Sequence, residues 1–348
     1  MILFSFSKLK TLETFLTMKN KTLLLMLASF LVLSLLLGAC APAAPTESPK
    51  PTEAPPVETT APDPTEEPAS QVMAFTDDLG YKLEFAEYPQ AIVSISPSTT
   101  EILFAIGAGG QVVGRDEMSL FPEAALEVTS VGALWGELPA EAILALEPDL
   151  VVAAQIISEE QVQALRDLGL NVYWQANPTT YEELWDNIRD FAALTGHEEE
   201  AEALIADLDA RVKAVQEKIA PLSYRPGVFY ELDATDPAAP WTAGSGTFID
   251  YIIDMAGGMN AAAGLEGDYI QISAEQLIAV NPDVILLSDA LYGVTPESVA
   301  ERPGWDAIVA VQNNAIYPID PNLMSVPGPR LVDALEETAK ILHPEAFE

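Results

Sequence analysis

Two glutamates, Glu141 and Glu275, hold the same position in two copies of one sequence unit. Pro139–Val152 (PAEAILALEPDLVV) returns 134 residues later as Ser273–Leu286 (SAEQLIAVNPDVIL). Each acid falls in the first turn of a predicted short helix, where a negative charge interacts with the helix dipole by ~0.3–1 kcal/mol. Six residues before each glutamate stands an aromatic, Trp135 in the first copy and Tyr269 in the second. Rings placed just ahead of such helices suit a flat ligand stacked in a cleft, while core packing is the ordinary fate of Trp and Tyr. A third aromatic, Trp241, lies in Ala239–Gly246 (APWTAGSG), ahead of a helix predicted over Phe248–Met255. Small residues at a helix start leave N–H groups free for an oxygen-rich ligand, or simply make a turn. Ser96-Pro97-Ser98 stands at the matching junction of the first half, with Ser98 as a helix cap. Arg330 follows Pro327-Gly328-Pro329 and opens the last helix, where a cation opposes the dipole; an ion pair with one of the many carboxylates is the alternative to a ligand contact.

Other chemistries are poorly provided for. The chain carries 53 acidic against 16 basic residues, a net charge of −37. Nucleic-acid binders need a basic face to displace counterions, so that class is excluded. One Cys and two His among 348 residues leave no disulfide framework, no Cys-rich zinc module and no His cage. His197 and His343 read as surface or helix-terminating residues, and no side-chain metal site is expected. Thr242–Gly246 has Ala243 where a nucleophile elbow needs Gly, and no His stands nearby for a triad. An enzyme built on a chance carboxylate pair is the remaining catalytic alternative. A surface adhesin is another, although adhesion does not call for a repeated, cleft-forming pair of lobes.

The two ends of the chain differ. Residues 23–37 (LLLMLASFLVLSLLL) form an apolar run preceded by Lys19 and Lys21 and followed by Leu37-Gly38-Ala39-Cys40. This order resembles a bacterial lipoprotein precursor, in which the Cys is lipidated and becomes the first residue after cleavage. Met18 would start a conventional signal of this kind. Loss of 1–39 leaves 12 basic against 52 acidic side chains, net −40, a surface that charge does not draw to anionic lipid. Residues 41–70 hold nine Pro and no Leu, Ile, Phe, Tyr or Trp. Such a segment has nothing to bury against its chain entropy and reads as a stiff tether reaching at most ~90 Å.

From Val72 onward strands and helices alternate. Ala91–Ile95 predicts a buried strand, and Ser98–Glu101 a capping box opening a helix with Ile102, Leu103 and Ile106 on its apolar face. Gly107–Gly114 stops that helix and starts another strand. Each repeat copy is a helix, a Pro-Asp turn and a β-branched strand, the unit of a parallel sheet. Between the copies Ala201, Leu204, Ile205, Leu208, Val212, Val215 and Ile219 make one helical stripe within 196–221. The predicted organisation is a signal peptide (1–39), a Pro-rich tether (40–71), an α/β lobe (72–195), a connecting helix (196–221) and a second α/β lobe (222–348).

Over about 90–347 the chain resembles the substrate-binding proteins of bacterial ABC importers that carry cobalamin, ferric siderophores or haem. The resemblance rests on IVSISPSTTEILFAIGAG, VGALWGELPAEAILALEPDLVV, GSGTFIDYIIDMAGGMN, ISAEQLIAVNPDVILL and PGPRLVDALEETAKILHPEAF, in that order. It implies two Rossmann-like α/β lobes bridged by one long helix, with ligand in the cleft between them. It implies a monomeric, non-enzymatic carrier outside the cytoplasm, anchored through Cys40, that delivers a cobalt- or iron-containing chelate to an ABC permease dimer with its ATPase subunits. No resident cofactor is implied. Glu141 and Glu275 would then dock into arginines of the two permease subunits. Ser96, Trp135, Trp241, Tyr269 and Arg330 would line the cleft, and in haem carriers a Tyr such as Tyr269 or Tyr292 can ligate iron.

Overall fold

A computed structural model describes residues 72–348, apart from Trp135 and Glu137. The signal peptide, the tether, Cys40 and Trp135 therefore lie outside the described residues. The chain enters through an antiparallel hairpin, β1 (Met73–Thr76) with β2 (Lys82–Phe85). In β2 Leu83 and Phe85 alternate inward with exposed Lys82 and Glu84, the signature of a strand covered on one face. Asp77 ties this hairpin to the lobe. Its carboxylate accepts from the Leu79 and Tyr81 amides at 3.0 and 2.8 Å and from the Trp174 amide at 3.1 Å, and it pairs with Arg166.

The first lobe is a parallel sheet of β3 (Ile92–Ser94), β4 (Val112–Asp116), β5 (Thr129–Gly132), β6 (Leu150–Ala154) and β7 (Val172–Gln175), in the order β5-β4-β3-β6-β7. Helices cover both faces, so β6 (LVVAA) is buried along its whole length and reads as an unbroken apolar run. The second lobe repeats the plan with β8 (Gly227–Glu231), β10 (Met259–Asn260), β12 (Val284–Leu287) and β13 (Ile316–Pro318), all parallel, in the order β10-β8-β12-β13. A two-stranded antiparallel ribbon, β9 (Trp241–Ala243) with β11 (Tyr269–Gln271), is added beside it.

The internal repeat extends to backbone geometry. Glu147 and Asn281, at the same place in the two copies, both take left-handed φ values, 46° and 56°. Each precedes the Pro-Asp turn that reverses the chain from helix into strand. The turn aspartates then do matching work. Asp149 Oδ2 accepts from the Gln90 and Ala91 amides at 2.9 and 3.0 Å, at the entrance to β3. Asp283 Oδ2 accepts from the Gly227 amide at 2.7 Å, at the entrance to β8. A short acid that binds the start of the neighbouring strand sets the register of both central strands.

One helix, Glu198–Ile219, links the lobes and buries Ala201, Ile205, Leu208, Val212 and Val215 along one side. The last helix, Leu331–Leu342, lies on it, with Arg211 of the connector paired to Asp333 and, at 2.9 Å, to Glu336. Tyr181 of the first lobe meets Tyr251 of the second edge-on at 5.5 Å and donates its hydroxyl to the Leu331 carbonyl at 3.0 Å. A single apolar cluster accordingly runs from Leu103 and Phe191 through Leu208 to Ile252 and Leu335. The lobes share a core on the connector side and part on the other.

Two local expectations are corrected. The helix after β3 begins at Pro97, with Ser96 at its N-cap and no side-chain cap, so Ser98 and Glu101 do not form a capping box. Proline's fixed φ suits the first helical position and moves the start ahead of Ser98. His343 does end a helix but is not a surface residue. It is 3% exposed, with Nε2 3.3 Å from the Gly257 carbonyl.

Candidate functional site

In a doubly wound sheet, neighbouring strands whose connections leave in opposite directions open a crevice at their carboxyl ends. The order β5-β4-β3-β6-β7 places that point between β3 and β6; in β10-β8-β12-β13 it falls between β8 and β12. A cavity lies at each. The first, about 340 Å³, is lined by Ser96, Pro97 and Ser98 after β3, Gln155 and Ile156 after β6 and Asn177 after β7. Phe248, Tyr269 and Ser325–Pro327 of the second lobe close it from the opposite side. The second, about 460 Å³, is lined by Leu232 and Asp233 after β8, Ser288, Leu291 and Tyr292 after β12, Trp241, and again Ser325 and Val326. Ser325 and Val326 border both, so a cavity between the lobes adjoins one lined by the second lobe, each of a size suited to a small-molecule ligand.

The ribbon explains how two aromatics distant in sequence come together. Ala243 opposes Tyr269 and Trp241 opposes Gln271. Opposed residues of an antiparallel pair share a face, so Trp241 and Tyr269 are diagonal neighbours on one side. Trp241 is 41% and Tyr269 44% exposed, while Thr242 between them is buried. Burial, then Tyr230 and Asp268, push the Tyr269 phenol up to about 12, so it stays protonated at neutral pH. Gly244 makes the ribbon's close approach possible, since a Cβ there would stand 2.1 Å from the Gly267 carbonyl oxygen. The following helix, Phe248–Met255, is capped by Thr247, which accepts from the Asp250 amide at 3.1 Å and donates to the Gly244 carbonyl at 3.0 Å. Ser245 donates to the Ala263 carbonyl at 2.9 Å, which leaves its hydroxyl in a loop contact.

Hydroxyls form the floor of the first lobe's side. Ser96 is 2% exposed and its Oγ lies 2.9 Å from that of Ser98. Behind them Ser94, Thr99, Thr100 and Ser119 form a buried chain with 2.7–2.8 Å links that ends on Asp116. Burial holds the Asp116 carboxyl above its usual range. In the second lobe Glu231, the last residue of β8, is bound by Arg302, with Nη2 to Oε1 at 2.8 Å, and Arg302 lies 4.5 Å over Trp305. That buried pair braces the strand end from which Leu232 and Asp233 reach the cleft.

Arg330 does not face the cleft openly. Its guanidinium grips the Glu101 carboxylate with both Nε, at 3.0 Å, and Nη2, and lies 4.1 Å over the Phe121 ring. The pair occupies a recess of about 180 Å³ whose Asn322 and Val326 also border the main cleft. This is where Glu101 goes instead of capping its own helix, because a charge-assisted, bidentate bond outweighs a neutral cap.

Glu141 and Glu275 are both exposed and both in the first turn, of helices Ala140–Leu144 and Ala274–Val280. Their Pro-Asp turns sit at the amino edge of each sheet, so the helix starts point toward the carboxyl edge that bears the cleft. Tyr292 is 82% exposed at the cleft rim. Sequence reasoning missed Gln155, Asn177, Asp233 and Ser288, although each follows a strand at its carboxyl end, a readable signal. Ser325 and Val326 carry no such signal.

A two-lobed α/β fold with one bridging helix and a ligand-sized cleft between strand ends defines a bilobal solute-binding protein. A family profile described as periplasmic binding protein matches residues 92–323. The chain is 32% identical over 265 residues to the uncharacterized ABC transporter substrate-binding lipoprotein YvrC of Bacillus subtilis, covering 75% of this chain and 82% of that one. It is 29% identical over 261 residues to the vitamin B12-binding protein of Vibrio cholerae, covering 73% and 89%. The periplasmic heme-binding protein RhuT from Roseiflexus, in its apo form, superposes with a TM-score of 0.66 at 29% identity, covering 74% of this chain and 99% of that one. This chain belongs to the periplasmic binding protein family.

Proposed function

We propose that this protein captures a metal chelate or corrinoid outside the cytoplasm and delivers it to an ABC-type import permease. The observation that carries the reading is the cleft itself, in which two cavities adjoin at Ser325 and Val326, Tyr269 bordering the one between the lobes and Trp241, its neighbour on the ribbon, bordering the other. Rigid aromatics give a flat macrocycle contact area at low entropic cost. The hydroxyl and amide groups of Ser96, Gln155, Asn177, Ser288 and Ser325 offer donors and acceptors around its edge. The metal enters as part of the cargo and not as a resident cofactor. The relatives that carry vitamin B12 or haem support this class of ligand.

Delivery rests on Glu141 and Glu275, exposed at equivalent places on the two lobes and turned toward the cleft edge, where a two-fold permease would offer matching arginines. Attachment rests on Cys40, with the Pro-rich segment as spacer, and the carrier acts as a monomer. The shared core on the connector side leaves little room for a wide swing of one lobe against the other. Titration calorimetry with cyanocobalamin, dicyanocobinamide, hemin and a ferric hydroxamate tests the capture step. Saturable one-to-one binding of at least one, without turnover, is the expected result. Failure of all four, or chemical conversion of any of them, would overturn the reading.

A further inference from the structure

The capture reading leaves the charge of the cargo open, and the following inference rests on that reading. Among the described residues, neither cavity is lined by a basic side chain, and Asp233 gives the second one an acid. Trp135 and Glu137 add no cation. The basic groups of this chain are few, and those near the cleft are already engaged. Arg302 is bound to Glu231 in the lobe interior, and Arg330 to Glu101 in the adjoining recess. Side-chain exposure of the Arg330–Glu101 pair is 16% and 3%, so the two charges cancel out of reach of solvent counterions. Asp320 and Asp333 act on the same recess and add further negative potential. Phe121 covers the guanidinium face that Glu101 leaves free.

We propose that Glu101 is a specificity-determining residue that masks Arg330 and makes the cleft select an uncharged, amide-bearing macrocycle over one that carries carboxylates. A ring edged with neutral amides exchanges hydrogen bonds with the Ser, Gln and Asn groups of the cleft. A ring with free carboxylates must shed their hydration in a site that offers no unpaired cation and sits in a strongly acidic protein.

Three probes separate charge from shape: dicyanocobinamide, which is neutral, hemin with its two free propionates, and hemin dimethyl ester, the same ring with both carboxylates capped. With the wild-type protein, dicyanocobinamide binds tightest, and the diester binds at least tenfold more tightly than hemin. In Glu101→Gln, Arg330 is released toward the cleft, and hemin gains at least tenfold while the diester shifts by less than threefold. Hemin binding to the wild type as tightly as its diester overturns the inference and leaves chelate capture standing. Failure of all three probes overturns the inference, and the capture reading falls with it only if cyanocobalamin and the ferric hydroxamate fail to bind as well. A folded Glu101→Gln whose hemin affinity stays within threefold of wild type overturns the role of Glu101, and the wild-type comparison tests the selectivity itself even if that variant does not fold.

Discussion

The paired rings of the ribbon give the most direct test of the cleft. An aromatic side chain offers roughly 150–250 Å² of surface. With Trp241 41% and Tyr269 44% exposed, about 60–110 Å² of each is left for a ligand to cover, by the same scale. At ~25 cal/mol per Å², full coverage of one ring contributes about 1.5–2.8 kcal/mol, or roughly a 10- to 100-fold change in Kd. Trp241→Ala and Tyr269→Ala should each weaken binding by an amount in that range. The two rings are diagonal neighbours under one ligand, so the double variant should lose less than the product of the single effects. Trp241→Phe and Tyr269→Phe keep a ring and should retain most of the affinity. Titration calorimetry with dicyanocobinamide measures this, with circular dichroism melts to show that each variant is folded. A folded Trp241→Ala/Tyr269→Ala protein whose Kd stays within threefold of wild type would refute the placement of ligand on the ribbon.

Glu141→Ala/Glu275→Ala should cost the free protein under ~1 kcal/mol, the size of a lost dipole interaction, and bind ligand as wild type does. Its affinity for reconstituted permease should fall by ~2–5 kcal/mol per lost pair, as read by pull-down or titration in nanodiscs. Gly244→Ala drives a Cβ to 2.1 Å from a backbone oxygen that cannot turn away; it should cost ~1–3 kcal/mol and lower Tm. Gly264→Ala, where a Cβ meets nothing within 4 Å, should stay within ~0.5 kcal/mol. Burial raises the carboxyls of Glu101, Asp116, Asp190, Glu231, Asp289 and Glu337 above their ordinary values. The folded state then holds more protons than the unfolded chain between the ordinary and the raised values, so stability falls as pH rises through that window. The lowered carboxyls of Glu183, Glu202, Glu297 and Glu336 act in the opposite sense. The six buried acids outnumber these four, three of them exposed, so Tm should rise as pH falls through that window, and a melt series showing the opposite slope there would contradict these assignments. Cys40→Ala should leave the protein unlipidated, and cell fractionation should find it off the membrane once its signal is removed.

The sequence alone determined the parts of this protein that depend on local periodicity. The stripe from Ala201 to Ile219 announced the connector because a buried helix face must repeat every three to four residues. The Pro-Asp repeat announced two lobes because its turn is a local device, with Glu147 and Asn281 in the same left-handed conformation and Asp149 and Asp283 binding the next strand's start. The first-turn placement of Glu141 and Glu275 followed from the same signal. Tertiary structure decided what depends on partners far along the chain. Ser98 and Glu101 have the spacing of a capping box, yet Glu101 reaches Arg330, 229 residues away. A capping bond is a local option, and it yields to a buried cation that only the fold brings near. Trp241 and Tyr269 share a face because β9 pairs with β11 in one register, and no local pattern in either segment encodes that pairing. Ser325 and Val326 join the two cavities because their loop in the second lobe lines both, facing the first lobe's strand ends in one and its own lobe's in the other. Side-chain pattern reports which face is buried, whereas the neighbour that covers it is set by how the chain returns.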